Sequence, residues 1–338
     1  MTRATPQNPA KAPPAAQDQV TTALARISSA DPAAGRSAGE ALAVLLAGVR
    51  ASCWPEIAWR FSRLGAGGCP IEFSFSSADT ALRYTVDPAG PETALPERLP
   101  IALRLIQQLT PGATVPGELT RLIENAQTAA DLRWGAWVGG RHSGTGSSFK
   151  LYAELPRLTA TAPLGRWSLP VTAPAGRCEI QLEGLGYDLA RRLVELYYRV
   201  SHLDLSSLTL LLAQAGLADR VADLLDLLGE VLERPVRGYF PPLRFGFSLA
   251  TDRPGDVRTA SLFCYTYEAL GDDARCRSRI LSVTGRRGLM LGVYPEMSAP
   301  LAAGSGKHRH TVAAISVAAA GPPALTIALS PPDSDAQS

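Results

Sequence analysis

The chain has 338 residues, 46% of them hydrophobic, so it can form one large domain or two ordinary ones with a real core. Its 33 Lys and Arg residues nearly balance its 31 Asp and Glu residues, and the net charge of +2 gives no support for a nucleic-acid-binding surface. We therefore expect charge to act locally, inside a site.

Nothing in the sequence indicates a membrane, an oxidising compartment or a metal. Residues 1–20 lack the apolar core of a signal peptide, and the longest apolar run, at 312–320, is too short to span a bilayer. The five cysteines form no CxxC pair, which favours reduced thiols and a cytoplasmic location. His308 and His310 form a polar segment without partner ligands, so we predict no metal site there.

The predicted elements alternate between helices and strand pairs. Residues 1–18 and 332–338 are predicted to be disordered tails flanking a single domain at 19–331. Periodicity predicts helices at 19–29, 37–50, 96–109, 118–129, 205–215, 218–233 and 272–283. Alternation predicts five hairpins, which pair 71–76 with 82–87, 132–140 with 149–155, 182–189 with 193–200, 243–250 with 258–268, and 310–319 with 324–329. The segment 158–177 gives no clear pattern.

One short pattern, an apolar residue followed by Arg, an aromatic residue and Gly, occurs twice. It begins at Leu132 and again at Leu243, and each copy is followed by a second strand that ends in a tyrosine, Tyr152 or Tyr265. The polar residues 141–148 between the first pair of strands predict a flexible turn. A recurring strand-turn-strand unit indicates a repeat architecture.

The strands share one phase of apolar and polar residues. The predicted apolar face consists of Ile71, Phe73, Phe75, Leu82, Tyr84, Val86, Leu151, Ala153, Leu155, Val194, Leu196, Phe245, Phe247, Leu249, Leu325, Ile327 and Leu329. Because helices need an apolar sheet face to pack against, and because closure removes exposed sheet edges, we predict an α+β fold. It is a single ten-stranded antiparallel barrel inside a ring of helices, with the polar face lining a wet lumen. The plainer alternative is a half-buried sheet with a solvent-exposed polar face.

Cations and tyrosines alternate on the predicted lumen face. Lys150 and Tyr152 lie two residues apart, and Arg83, Arg133 and Arg244 come from other strands. Converging cations suit a diphosphate, and tyrosine rings shield a carbocation. Glu72 is a candidate proton acceptor, with a structural salt bridge to Arg83 or Arg133 as its plainer alternative.

Three runs, at 69–75, 82–90 and 149–152, resemble in sequence and order the aromatic prenyltransferases of the ABBA fold. Within them, the chain is most similar to the indole prenyltransferases that resemble dimethylallyltryptophan synthase. The resemblance covers about residues 65–330, at the level of short motifs and hairpin order. It implies a PT barrel built from five ββ hairpins with an outer ring of helices.

The resemblance also implies a role for each matched residue, to which the alternation adds Arg244 and Trp137. These are catalytic Glu72; diphosphate-binding Arg83, Arg133, Lys150 and Arg244; and cation-shielding or substrate-binding Tyr152, Tyr197, Tyr265, Tyr267 and Trp137. The implied partners are a prenyl diphosphate donor and an aromatic small-molecule or peptide acceptor, with no nucleic acid and no membrane. No cofactor is required, and Mg²⁺ has at most a stimulatory role.

The sixth and tenth strands depart from the family. Leu193 and Glu195 stand where the family usually has cations, and the tenth strand has Ala328 but no tyrosine. We therefore carry two functions forward. The first is transfer of a prenyl group, with dimethylallyl expected, to an indole or other electron-rich aromatic acceptor in secondary metabolism. The alternative is a catalytically degenerate PT barrel that binds an aromatic or peptide ligand.

Overall fold

Ten strands close into one antiparallel barrel, in which β1 pairs with both β2 and β10. The computed structural model describes residues 16–55, 57–128, 131–159, 171, 177–236, 240–253, 256–303 and 308–331. The strands are β1 Ile71–Ser76, β2 Leu82–Val86, β3 Ala136–Ser143, β4 Gly146–Thr159, β5 Glu179–Asp188, β6 Leu193–Ser201, β7 Phe245–Arg253, β8 Asp256–Tyr265, β9 His310–Ala318 and β10 Ala324–Leu329. The closed ten-stranded barrel predicted from alternation is confirmed, and the open-sheet alternative is wrong.

The helices lie around the barrel and cover its apolar outer face. They are α1 Ala16–Ala30, α2 Pro32–Leu45, α3 Ala47–Arg50, α4 Arg98–Leu109, α5 Gly117–Thr128, α6 Leu205–Gln214, α7 Val221–Val231, α8 Thr266–Ala269, α9 Asp273–Arg287 and α10 Tyr294–Met297. The helices α2 and α4 pack on β3, α5 packs on β4, and α7 and α8 pack on β9. Outward strand residues such as Phe73, Leu151, Leu196 and Ile327 are fully buried beneath this layer. In the ranges that the structure describes, no helix is long and apolar enough to cross a membrane.

The second hairpin differs from the prediction at both ends. The strand β3 begins at Ala136 and not at residue 132, because the backbone N–H groups of Arg133, Trp134 and Gly135 all donate to the Glu154 carboxylate. The predicted flexible turn at 141–148 is mostly strand. Only residues 144–145 separate β3 from β4. The strand extends this far because His142 is buried on the outer face. Its two ring nitrogens lie 2.9 Å from Tyr84 Oη and 2.7 Å from Ser37 Oγ.

Two further boundaries move. The strand β8 ends at Tyr265, and residues 266–269 form α8, so Tyr267 lies on a helical turn and not on a strand. The helix α1 begins at Ala16, inside the segment predicted to be a disordered tail. The rest of that tail, the C-terminal tail and residues 160–170 and 172–176 lie outside the described residues.

His310 is not part of a polar loop. It opens β9 and is buried, and its Nδ1 lies 2.8 Å from Asp273 at the start of α9, while its Nε2 lies 2.9 Å from the Tyr294 hydroxyl. This chain of polar contacts lies outside the barrel and ties α9 and α10 to β9.

Candidate active site in the barrel lumen

The inner face of the barrel is lined by alternate residues of all ten strands. Cross-strand register places Glu72 beside Thr85, Arg83 beside Arg141, and Trp137 beside Tyr152. Most of the remaining inward positions hold small residues. Those of β7, β9 and β10 include Ser248, Ala314, Ser316 and Thr326.

Glycines on the inner face make space for large neighbours. A Cβ at Gly186 would lie 2.4 Å from Lys150 Cε, and a Cβ at Gly246 would lie 2.0 Å from the Phe263 ring. Lys150 and Phe263 therefore lie across these glycines, flat along the barrel wall.

Lys150 belongs to a polar cluster with Glu195, Tyr197 and Ser248, which we call the Lys150 cluster. Lys150 Nζ donates to Glu195 Oε2 at 2.5 Å and to the Tyr197 hydroxyl at 2.9 Å. Glu195 also accepts hydrogen bonds from Tyr197 at 2.7 Å and from Ser248 at 2.6 Å. The predicted diphosphate-binding lysine thus has an internal carboxylate partner.

Both charges of this pair are stabilised by each other. Burial opposes the charge of Lys150, but Glu195 outweighs it and raises the pKa of the lysine. Burial likewise opposes the charge of Glu195, but Lys150 and the two hydroxyl donors lower the pKa of that carboxyl. Lysine and glutamate are therefore both charged over the ordinary pH range, and together they contribute no net charge to the lumen.

Aromatic rings form a belt along one side of the lumen. Trp134 stacks on Trp137 at 4.1 Å between ring centroids, Tyr152 lies 5.9 Å from Tyr197, and Tyr197 lies 6.4 Å from Phe263. Strand register joins the two halves, because Trp137 pairs with Tyr152. This aromatic belt includes Phe263, which the sequence reasoning missed although it has the same strand parity as Tyr265. The buried Trp137 indole N–H has no acceptor among the described residues.

Glu72 lies at the end of the lumen where helices join the strands. Its Oε2 accepts a 2.5 Å hydrogen bond from Thr311, and the loop at Gly65 covers it so closely that a Cβ there would lie 3.5 Å from the carboxylate. Burial raises the pKa of Glu72 to about 7, with the Thr311 hydrogen bond opposing that shift. Among the described residues the carboxylate forms no ion pair, so the predicted alternative of a structural salt bridge to Arg83 or Arg133 is wrong.

Arg83 faces the lumen near the hairpin end of the barrel, beside Arg141 on β3. Both guanidinium groups bind the same oxygen of Asp79, at 2.5 Å from Arg83 and 3.2 Å from Arg141. Burial opposes the charge of Asp79, but Arg83 outweighs it and lowers the pKa of that carboxyl, so the group of three carries a net positive charge. Arg141 was missed because the sequence placed it in a flexible turn.

Three predicted lumen residues lie instead at the helix-connected rim. Arg133 precedes β3 and is 53% exposed, and it pairs with Glu154 and Glu183. Arg244 precedes β7 and is 64% exposed, and it binds Glu268 and the Tyr267 hydroxyl. The prediction that Arg133, Arg244 and Tyr267 face the lumen is wrong, because each lies outside the strand whose alternation would have turned it inward. Tyr265 ends β8 at the same rim, 43% exposed, with the Arg244 guanidinium 5.0 Å from its ring centroid.

A cleft of about 370 Å³ lies at this rim, lined by residues that include Phe61, Asp87, Glu92, Arg98, Arg133 and Trp134. Asp87 and Arg98 form a buried ion pair in its wall, and Ser62 donates to Asp87 at 2.9 Å. Since Trp134 lines the cleft and stacks on Trp137 of the inner face, the cleft adjoins the lumen. Within the described part of the chain, no group of three or more His, Cys, Asp or Glu residues could hold a metal ion.

Comparison with solved structures finds the same architecture over nearly the whole chain. 5-Dimethylallyltryptophan synthase from Streptomyces coelicolor, solved in complex with DMASPP and Trp, is 16% identical, with a TM-score of 0.72 over 94% of this chain and 95% of that one. 6-Dimethylallyltryptophan synthase from Micromonospora olivasterospora is 18% identical, with a TM-score of 0.67 over 95% and 100%. AnaPT from Neosartorya fischeri is 13% identical, with a TM-score of 0.62 over 95% of each chain.

These likenesses establish the ABBA, or PT-barrel, fold that the sequence resemblance implied. Scans against models of known families and against curated proteins give no match.

Proposed function

We propose that the chain is an aromatic prenyltransferase, which moves a dimethylallyl group from its diphosphate to an indole or other electron-rich aromatic acceptor. The observation that carries the proposal is Glu72, a carboxylate inside the barrel with a raised pKa and a hydroxyl as its hydrogen-bond partner. Such a group is available to accept a proton from an acceptor N–H or O–H. The solved 5-dimethylallyltryptophan synthase complex with DMASPP and Trp supports the same class of donor and acceptor.

The residues divide the chemistry between neighbouring parts of the inner face, since Glu72 on β1 and Arg83 on β2 are diagonal neighbours in the strand register. The arginine pair of Arg83 and Arg141 binds the diphosphate, which leaves with the electron pair of the broken carbon–oxygen bond. The aromatic belt faces the allylic cation from one side and shields it from water there. The acceptor ring attacks the cation to form the new carbon–carbon bond, while Glu72 accepts the proton of the acceptor N–H. The alkylated ring carbon then loses its own proton to the departed diphosphate, and Glu72 returns its proton to the nitrogen, which restores the aromatic ring. We place Trp137, Tyr152 and Tyr197 around the substrates, with Tyr265 at the entrance.

The wider setting follows from the same proposal. The acceptor is a small molecule or a peptide of secondary metabolism, the location is the cytoplasm, and no cofactor is required. Because arginines carry the charge of the leaving group, Mg²⁺ assists the reaction at most.

A second candidate, a binding protein without catalysis, is favoured by the Lys150 cluster. Glu195 accepts a hydrogen bond from the lysine and cancels its charge, which weakens the attraction for a diphosphate. The same barrel would then hold an aromatic or peptide ligand.

The test is to incubate the protein with dimethylallyl diphosphate and a panel of indoles, phenols and cyclic dipeptides, and to search by mass spectrometry for one added prenyl unit. Prenyl transfer in the lumen predicts a product with wild type and none with Ala314→Trp, which fills the inner face. The control Ala213→Trp adds the same side chain on the exposed side of α6 and should retain activity. Binding of a panel member in the lumen without any product would establish the second candidate instead.

A further inference from the structure

We propose that Glu195 is a specificity-determining residue: it cancels the charge of Lys150 and thereby confines anion binding in the lumen to Arg83 and Arg141. The identification of that anion as a diphosphate rests on the proposed function. The charge distribution itself rests on contacts within the barrel.

Within the Lys150 cluster, both oxygens of Glu195 have hydrogen-bond donors. The two oxygens of Glu195 accept from Lys150, Tyr197 and Ser248, at distances between 2.5 and 2.7 Å. A buried carboxylate with this many donors is fully satisfied and stays ionised. An incoming anion therefore meets a neutral pair at Lys150, and not a free ammonium group.

At the arginine pair, Asp79 neutralises only part of the positive charge. Two guanidinium groups share one oxygen of Asp79, so one positive charge is left over. The Nε–H of Arg141 is buried and has no acceptor among the described residues. This end of the lumen offers both a net charge and a free donor to an anionic group.

The Lys150 cluster and the arginine pair lie close together on the inner face. Gly139 on β3 pairs with Lys150 on β4, and Arg141 lies two residues further along the same face of β3. Diagonal neighbours of this kind lie about 7–8 Å apart in an antiparallel ladder. An anion on the arginine pair is thus close enough to be attracted by the Lys150 ammonium group once Glu195 no longer cancels its charge.

The experiment measures binding of inorganic diphosphate by calorimetry to wild type and to Glu195→Gln. The variant keeps the size of the side chain and frees the charge of Lys150, so we expect affinity to rise by at least about tenfold. Affinity for neutral indole should stay within about threefold, because indole carries no charge for Lys150 to attract. A general loosening of the lumen would instead change the affinity for both indole and diphosphate. Glu230→Gln makes the same charge change at a surface pair with Arg286 and Arg287 and should leave diphosphate affinity unchanged.

Two further variants keep the proposal testable if Glu195→Gln folds poorly. Lys150→Met combined with Glu195→Met removes a neutral pair, and diphosphate affinity should stay within about threefold of wild type. Arg141→Met should weaken diphosphate binding by at least about tenfold, whereas the surface control Arg286→Met should not. An unchanged or weaker affinity in Glu195→Gln, or a large loss in the double variant, would overturn the proposal.

Failure of this inference can be told from failure of the proposed function. Diphosphate binding is measured without an acceptor and without turnover. If Glu195→Gln binds diphosphate more tightly but neither protein forms a prenylated product, the inference stands and the proposed function fails. If wild type transfers prenyl groups while Glu195→Gln shows no gain in diphosphate affinity, the inference alone fails.

Discussion

At the scale of single residues, Glu72 has the environment that most affects chemistry. Its carboxyl lies in the barrel beneath Gly65 and binds only the Thr311 hydroxyl among the described residues. Burial raises its pKa to about 7 from an ordinary value of 4.5. The carboxylate form, which accepts a proton, is therefore populated as the pH rises through about 7, and activity should rise over the same interval.

The raised pKa also has a consequence for stability. Between about pH 4.5 and 7 the folded protein keeps the Glu72 proton while the unfolded chain releases it, so the stability contributed by this group falls as the pH rises. Glu72→Gln cannot titrate and should be more stable than wild type above pH 7, by up to about 3 kcal/mol, and similar to it near pH 4.5. Urea unfolding across this range measures the difference.

The matched control is Glu230, whose pKa is shifted in the opposite direction from that of Glu72. A hydrogen bond from Arg287 lowers the pKa of Glu230. Glu230→Gln should therefore give no gain in stability at alkaline pH. A parallel pH dependence of wild type and Glu72→Gln would show that the Glu72 pKa is not raised.

Among the lumen ion pairs of the described residues, Lys150 with Glu195 is the most enclosed, with each side chain 18% exposed. Lys150→Met leaves the Glu195 charge without its ionic partner, and we expect a loss of about 3 kcal/mol in the free energy of unfolding. Lys150→Met with Glu195→Met should recover most of that loss, since no unpaired charge remains. Urea unfolding of both single variants and the double variant gives the coupling energy.

An exposed pair serves as the comparison for this cycle. Arg258 is 46% exposed beside Asp252, so Arg258→Met should lower the free energy of unfolding far less than Lys150→Met does. Equal costs at Lys150 and Arg258 would contradict a desolvated pair in the lumen.

The sequence predicted those site residues whose strands it placed correctly. Glu72, Arg83, Lys150, Tyr152 and Tyr197 lie on the inner face because each falls inside a strand with clean alternation. The ion-pair and hydrogen-bond partners of these residues could not be predicted. Pairs such as Lys150 with Glu195 depend on which strands become neighbours in the barrel.

At the scale of elements, inward glycines determine how the large lumen side chains lie. A Cβ at position 246 would meet the Phe263 ring at 2.0 Å, so Gly246→Ala must displace that ring or the strand. We expect a loss of about 1–3 kcal/mol in stability, measured by thermal or urea unfolding. Gly246→Ala combined with Phe263→Leu should recover part of it.

A glycine in open space gives the matched control. Gly285 lies within α9, and a Cβ there would meet nothing within 4 Å. Gly285→Ala should stabilise the protein by about 0.5–1 kcal/mol, because alanine loses less backbone entropy in a helix. If Gly246→Ala also stabilised the protein, the proposed clash between a Cβ at position 246 and the Phe263 ring would be contradicted.

Strand pairs were predictable at this scale and their ends were not. Alternation identified all five hairpins, but it could not show that Glu154 binds the backbone N–H groups before β3, nor that the chain turns into α8 after Tyr265. Both boundaries depend on contacts between residues that are distant in sequence or on a helical turn without its own periodicity. Arg133 and Tyr267 were misplaced for this reason.

At the scale of the whole molecule, closure of the barrel turns a polar sheet face into an enclosed site. The five hairpins bring an arginine pair, a neutral lysine–glutamate pair and a carboxylate with a raised pKa onto one inner surface, while a ring of helices covers the outer one. The sequence indicated this closure because all the strands share one phase. It could not indicate the charge balance of the lumen, which depends on Asp79 and Glu195 reaching across strands.

The most direct test of this account compares prenyl transfer by wild type and by Glu72→Gln, with isotope-labelled dimethylallyl diphosphate and an acceptor that gives a product. Loss of a hydrogen bond to a charged group in the transition state should lower turnover by about two to three decades. Donor affinity should change far less than turnover, because Glu72 forms no ion pair with the arginine pair among the described residues, and Glu230→Gln should match wild type in both respects. Equal turnover in wild type and Glu72→Gln would contradict the central role of this carboxylate.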